Sequence, residues 1–402
     1  MQLMVLGAGV HQVPLIRKAR AIGLRVITLD YLPDNVGHTM ASASVNCSTT
    51  DFDGVLRAAQ EMRVDGLMTF ASDVATPTVA QVATRLGLPG PKLETVETML
   101  FKDRFREHQR RHGLNSCNFV AGTTLTIVRE ACRALTGRVV VKPVDASGSR
   151  GISLVHAPVE ALLRPAFERA QAQSRSGRVC IEEWVPGIDL SGDFFLAGGK
   201  IVAGAITQKF GDGMVPIGHL LPSNLLPDEQ GLILAEVHRT CQSLGYADGP
   251  TDCDVRVAGD KVTVIEVNPR LGGNGIPQLV ERCTGSDLIE MAIRFALGEQ
   301  VQIAPSGPLR RCASMVFGSP QGGTLESLTP LDQLIAAVPE VFDVSLCRVP
   351  SQRVPAFSSS PDMIGYVLFD LPAGRSYEAM TAQIRAALQI KIRPDEEDAL
   401  CS

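Results

Sequence analysis

Two short segments place oxygen donors and guanidinium groups at every second position. "TDCDVRVAGD" holds Asp252, Asp254 and Arg256, and "VIEVNPRLGGNG" holds Glu266, Asn268 and Arg270. Both read as strands, on which alternate side chains share a face, so each triplet forms one row while Ile265 and Val267 point the other way. A buried row of this kind needs partners, because lone charges are expensive to bury. A hairpin turn of three or five residues around Ala258, Gly259 and Asp260 would bring the two rows onto one face, the arrangement expected here; a two-residue turn would separate them. Convergent hard oxygen donors beside an arginine suit Mg2+ bridging phosphate oxygens, with the arginine neutralising a transferred phosphoryl group. A network of structural salt bridges is the alternative.

Three further stretches could serve the same chemistry. In "VVVKPVDASGSRG", residues 139–151, Lys142 ends an apolar strand and a Gly/Ser loop follows, small enough to fold over phosphates and donate backbone N–H groups. No Gly-Lys-Ser/Thr opens a helix there, so it is not a Walker loop, and a plain hairpin with a snorkelling lysine is the competing reading. "CIEEWVPGID" puts Glu182 and Glu183 at a strand end before extended backbone, which could offer a carbonyl and an amide to an adenine edge or be a simple linker. "GAGVHQ", residues 7–12, precedes Asp30 as a dinucleotide fingerprint would, but Gln12 stands where the third glycine belongs, which favours an ordinary βα turn over NAD binding.

The elements that must position these groups follow from periodicity. Residues 1–92 alternate apolar strands with helical patterns and predict a doubly wound parallel sheet. Pro89, Gly90 and Pro91 mark a boundary. Residues 93–185 predict one helix, "KLETVETMLFKDRFREHQRRHG", and a small α+β lid; 186–300 a larger antiparallel sheet domain; and 301–402, opening on "IAPSGPL", a C-terminal domain. The fold class is thus α/β and α+β. With 402 residues and 45% hydrophobic content the chain can bury several cores, and its net charge of −5 leaves no basic patch for nucleic acid. Ten scattered cysteines without CxxC spacing fit free thiols, and no apolar run is long enough for a membrane span; a cytoplasmic protein with small-molecule partners is expected.

Taken together, Lys102, the Lys142 strand with its Gly/Ser loop, "EEWV" and the hairpin from Asp254 to Arg270 resemble the ATP-grasp superfamily in order and spacing over residues 1 to about 300, and within it the carboxylate-amine ligases, including L-amino-acid ligases. The resemblance implies an ATP-grasp fold: a nucleotide-binding-like domain without NAD, a lid, an antiparallel ATP-binding domain and a C-terminal extension. It implies that Lys102 and Lys142 contact ATP phosphates under the loop Ser147, Gly148, Ser149 and Gly151, and that Glu182, Glu183, Trp184, Val185 and Asp189 surround adenosine. Asp254 and Glu266 would bridge Mg2+, two ions with Mn2+ as a substitute, beside Asn268, and Arg270 would hold an acyl phosphate. Asp254 and Asp189 stand where the family more often has Glu. "PIGHLLPSNL", residues 216–225, resembles a substrate loop, which makes His219 and Ser223 candidates. Ser72 and Asp73 in "TFASD", at a strand end facing the crevice of the first sheet, and Gly272 and Gly273, which let the chain turn close to a ligand, are further candidates for substrate contact.

The activity so implied is an ATP-dependent ligase that activates a carboxylate as an acyl phosphate and joins it to an amine, possible as a homodimer. A bicarbonate-using enzyme of purine-pathway type and a nucleotide-binding protein without turnover remain as alternatives.

Overall fold

The computed structural model describes residues 1–212, 214–301 and 309–394. Strands β1 (Gln2–Leu6), β2 (Arg25–Asp30), β3 (Ala43–Asn46) and β4 (Gly66–Thr69) form a parallel sheet in the order β3-β2-β1-β4. β1 and β4 have almost no polar residue because helices cover both faces of such a sheet. Gln12 does not weaken the first βα turn: its amide donates to Phe70 O at 2.5 Å and fills the space beneath Gly7. The Asp30 carboxylate accepts from the amides of Ala8 and Leu32 at 2.9 and 3.0 Å, so it braces the turn.

The predicted single helix over 92–113 is two, Leu93–Leu100 and Lys102–Arg111, broken where Phe101 turns extended at φ −83°, ψ 109°. The break puts Lys102 at a helix start, its amide on Val144 O at 3.1 Å and its Nζ on Ala146 O at 2.8 Å. A second sheet follows, made of β5 (Phe119–Gly122), β6 (Val139–Pro143), β7 (Ser153–Val155) and β8 (Val179–Glu183) in the order β5-β8-β6-β7, with helix Glu160–Gln173 against it.

The largest sheet begins with β9 (Ile188–Ala197), β10 (Lys200–Asp212), β11 (Val215–Leu221), β12 (Gly249–Ala258) and β13 (Lys261–Asn268). The remaining strands are β14 (Cys312–Phe317), β15 (Gly323–Leu328), β16 (Val341–Leu346), β17 (Arg353–Val354), β18 (Gly365–Asp370) and β19 (Ile390–Arg393). The order is β13-β12-β9-β10-β11-β14-β18-β16, while β17-β15-β19 form a small separate sheet. Three strands of the last hundred residues therefore extend the central sheet instead of standing apart as a domain. Most of "IAPSGPL" lies outside the described residues. One core joins the units: Leu3, Val5 and Ile16 of the first domain share it with Phe195, Leu279, Ile293 and Leu368.

The hairpin reaches its single face by a different route from the one expected. Ala258 pairs with Lys261, which leaves a two-residue turn, and that phase alone would separate the rows. A β-bulge restores it: Val255 pairs with Val264 but Asp254 with Glu266, so Ile265 is the extra residue. Asp252 then faces Asn268, and Ile265 lines the cavity beside Glu266 while Val267 is buried in the core; the expectation that Ile265 and Val267 share a face does not hold.

Candidate active site

A cavity of about 590 Å³ lies where the three sheets meet, in the size range of small-molecule sites. One end is formed by Glu183, Trp184 and Val185, the middle by Lys102, Lys142, Glu266, Asn268 and the loop 146–150, and the other end by Asp73, Arg270, Asn274, His11 and Asn35.

At the first end, Glu182 is buried between Arg106, whose Nε lies 2.9 Å away, and Lys142. Burial opposes its ionisation, but the two cations outweigh that and hold the carboxyl at about 2. The Arg106 guanidinium also donates to Gln109 Oε1 at 2.9 Å and to Ile265 O, the bulge carbonyl, at 2.8 Å. One residue thus ties the helix after Phe101, strand β8 and the bulge together. The Glu183 side chain accepts from Thr136 and Asn118, which fixes the strand end, and the Val185 amide donates to no described protein group. The guanidiniums of Arg256 and Arg138 lie over the Trp184 ring, 3.8 and 5.2 Å from its centroid. Asp189 meets Arg256 at 3.3 Å and Lys209 at 3.7 Å; burial is the main cause that raises its pKa.

In the middle, Gly148, Ser149 and Gly151 all take positive φ, so the loop coils tightly over the cavity. Ser149 Oγ donates to Met214 O at 2.9 Å, and Gly148 O accepts from the Ser360 amide at 3.1 Å. Ser147, Gly148 and Ser149 line the cavity, whereas Gly151 packs against Gln173 and Pro143. Glu266 accepts from Asn268 Nδ2 at 3.2 Å and lies 3.7 Å from Lys102 Nζ. Asn268 is 2% exposed and its Oδ1 is a buried acceptor with no donor among the described residues. An orphaned hard oxygen beside a carboxylate is what a divalent cation would complete. Among the described residues no three His, Cys, Asp or Glu side chains converge on a cation site of their own, so a cation here would complete its shell with water or with oxygens of a bound ligand.

At the far end, Arg270 is buried and bridges Asp73 from the first domain to Asp252; its Nε lies 2.6 Å from Asp73 Oδ1. Burial disfavours its charge, but the two carboxylates raise its pKa. Behind it, the buried Asp193 accepts from the Gly272 amide at 2.9 Å, and burial, with Asp252 nearby, raises its pKa. Gly272 therefore supports the acids instead of lining the cavity, while Gly273 lines it. His219 is on β11, not in a loop; it lines the cavity, is 2% exposed, bonds Thr207 Oγ1 at 3.0 Å, and is pushed down to about 3, first by burial and then by Lys209. Ser72 and Ser223 do not line the cavity, and the buried Ser223 hydroxyl has no described partner. Sequence reasoning missed Arg106, Lys209, Asp193 and the contribution of Cys347, Arg348 and Met363. Lys209 had a signal in "AITQKF", where it shares a strand face with Thr207.

Residues 135–278 match the family model described as an ATP-grasp domain, and this span holds the Gly/Ser loop, the end of β8 with Trp184 and Val185 (the hinge), and the whole acid row. This part of the chain is an ATP-grasp domain. An uncharacterized protein, y4rH, of Sinorhizobium fredii is 27% identical over 361 residues, covering 86% of this chain and 73% of its own length. A formate-dependent phosphoribosylglycinamide formyltransferase of Parasynechococcus marenigrum is 26% identical over 311 residues, 74% of this chain and 76% of the relative. An L-amino acid ligase from Bacillus licheniformis superposes with a TM-score of 0.79 at 22% identity over 98% of both chains. The ATP-grasp fold thus extends over the flanking first domain and the C-terminal strands.

Proposed function

We propose that the protein is an ATP-dependent carboxylate-amine ligase. A substrate carboxylate oxygen attacks the γ-phosphorus of ATP, which releases ADP and gives an acyl phosphate; an amine then attacks the acyl carbon, phosphate leaves, and an amide forms. The observation that carries this reading is one continuous cavity, in an ATP-grasp domain, leading from the hinge past Lys102, Lys142, Glu266 and Asn268 to Arg270 and the crevice of the parallel sheet. On this reading a triphosphate would lie along the middle of that path and the substrate acid at its far end.

The residues take up roles that need little covalent chemistry. Adenine would rest against Trp184 and Ile265 and bond the Val185 amide. Lys142, oriented by Glu182, and Lys102, oriented by Ala146 O, would neutralise phosphate oxygens beneath the amides of 147–149. Glu266 and Asn268 would hold Mg2+, whose contribution when bound is charge neutralisation on phosphate oxygens. Asp73 and Asp252, which pair with Arg270, would aim its guanidinium at the transferred phosphoryl group, and the neutral His219 imidazole would offer hydrogen bonding without adding charge. The test is ATP-dependent phosphate release across a panel of amino acids and other carboxylates, with hydroxylamine as the trapping amine. Hydroxamate formed with one class of acid and lost in Arg270→Ala supports the reading; phosphate release with bicarbonate alone, or with no acid at all, refutes it.

A further inference from the structure

The acids of the row are not equivalent. Both oxygens of Asp254 are already engaged: the Ser191 hydroxyl donates to Oδ1, and Lys209 Nζ lies 3.0 Å from Oδ2. Lys209 reaches in from β10, its side chain 14% exposed, and also lies 3.7 Å from Asp189. Beside it His219 is neutral and adds no competing charge. Glu266 and Asn268 are the reverse case. Among the described residues Glu266 has only an amide N–H at 3.2 Å and the Lys102 ammonium at 3.7 Å, and Asn268 Oδ1 has no donor.

Two divalent ions spread along this row would require Asp254 to release Lys209 and would leave that ammonium beside a dication. An ammonium with three donors already supplies positive charge at the Asp254 end, facing the cavity. We propose that Lys209 is a built-in cation that replaces one of two divalent ions, so that the site takes a single divalent ion, at Glu266 and Asn268, with each nucleoside triphosphate. This rests on the reading of the cavity as a magnesium-nucleotide site. Lys209 would then face the phosphate chain, and Asp254 would act as its positioning residue, not as a metal ligand.

Counting ions tests this without turnover. The full chain is titrated with Mn2+ at saturating AMP-PNP, free Mn2+ is read by electron paramagnetic resonance, and analogue binding is measured in parallel by equilibrium dialysis. One bound Mn2+ per bound analogue is expected for the native chain and two for Lys209→Met, in which Asp254 is freed. Asp254→Asn provides a second variant: it should keep the native count of one ion per bound analogue, whereas Glu266→Gln should hold Mn2+ at least tenfold more weakly. Two ions on the native chain, one on Lys209→Met, or a lost ion in Asp254→Asn overturns the role of Lys209 and leaves the nucleotide reading standing. Failure of the native chain to bind AMP-PNP overturns the nucleotide reading, and this inference with it.

Discussion

Replacing Arg106 by Met should destabilise the unit around the hinge by about 4 kcal/mol. Arg106 is 1% exposed and makes four hydrogen bonds, two to Glu182 at 2.9 and 3.3 Å, one to Gln109 and one to the Ile265 carbonyl. Breaking a buried ion pair costs about 3–5 kcal/mol, and an orphaned buried carbonyl about 1–3 more. Lys142 still compensates Glu182, which keeps the sum toward the lower end. Such a loss is a large part of a typical total of about 5–15 kcal/mol. Trp184, the only tryptophan, lies two residues beyond Glu182, so its fluorescence in a urea titration reports this unit. Adding Glu182→Gln to Arg106→Met should cost less than the sum of the single changes, by about 1–3 kcal/mol of coupling. The pH dependence has a definite sign. Glu182 sits at about 2 in the folded chain against an ordinary value of 4.5, so its stabilisation is present above pH 4.5 and lost as pH falls toward 2. Arg106→Met shortens that span, and the gap between native and variant should narrow in acid. A loss under about 1 kcal/mol, or full additivity with Glu182→Gln, would refute the tie between hinge and bulge.

Other expectations follow from single groups. His219 is held neutral at about 3 against an ordinary 6.5, so the unfolded chain binds its proton first and stability falls as pH drops below 6.5, by about 1 kcal/mol per unit; His219→Gln should flatten that slope in urea titrations from pH 6.5 to 5. Trp184 fluorescence should change saturably with Mg-ADP, and Lys142→Ala should weaken the nucleotide affinity so measured at least tenfold; an unchanged affinity would move the phosphates elsewhere. In Gly272→Ala the new methyl would stand 2.9 Å from Asp193 Oδ1 and 3.0 Å from Asp252 Oδ1, so hydroxamate formation should fall at least tenfold while Mg-ADP affinity is kept.

The acid row was legible because a period of two in residue type is a strand signature that survives any fold. The parallel sheet of the first domain was legible for the same reason. How the row reaches one face was not: Ile265 is an ordinary strand residue, and nothing local marks it as the bulge that Arg106 Nη2 bonds through its carbonyl. Arg106 was hidden in a basic helix whose other arginines, Arg104, Arg110 and Arg111, are exposed, since only a contact 76 residues away shows that it is buried. The break at Phe101 and the part played by the last hundred residues were likewise set at a distance, by Lys102 on Val144 and Ser360 on Gly148. Asp254 shows the limit of pattern: its spacing suggests a metal ligand, but a lysine from another strand lies 3.0 Å from it.

The central claim is that the substrate acid itself accepts the phosphoryl group. The acid that supports phosphate release should be labelled with 18O in its carboxylate and turned over with ATP and an amine, and the phosphate examined by 31P NMR. Acyl-phosphate chemistry carries one 18O into inorganic phosphate and leaves ADP unlabelled. Label in AMP, or none in phosphate, would contradict it.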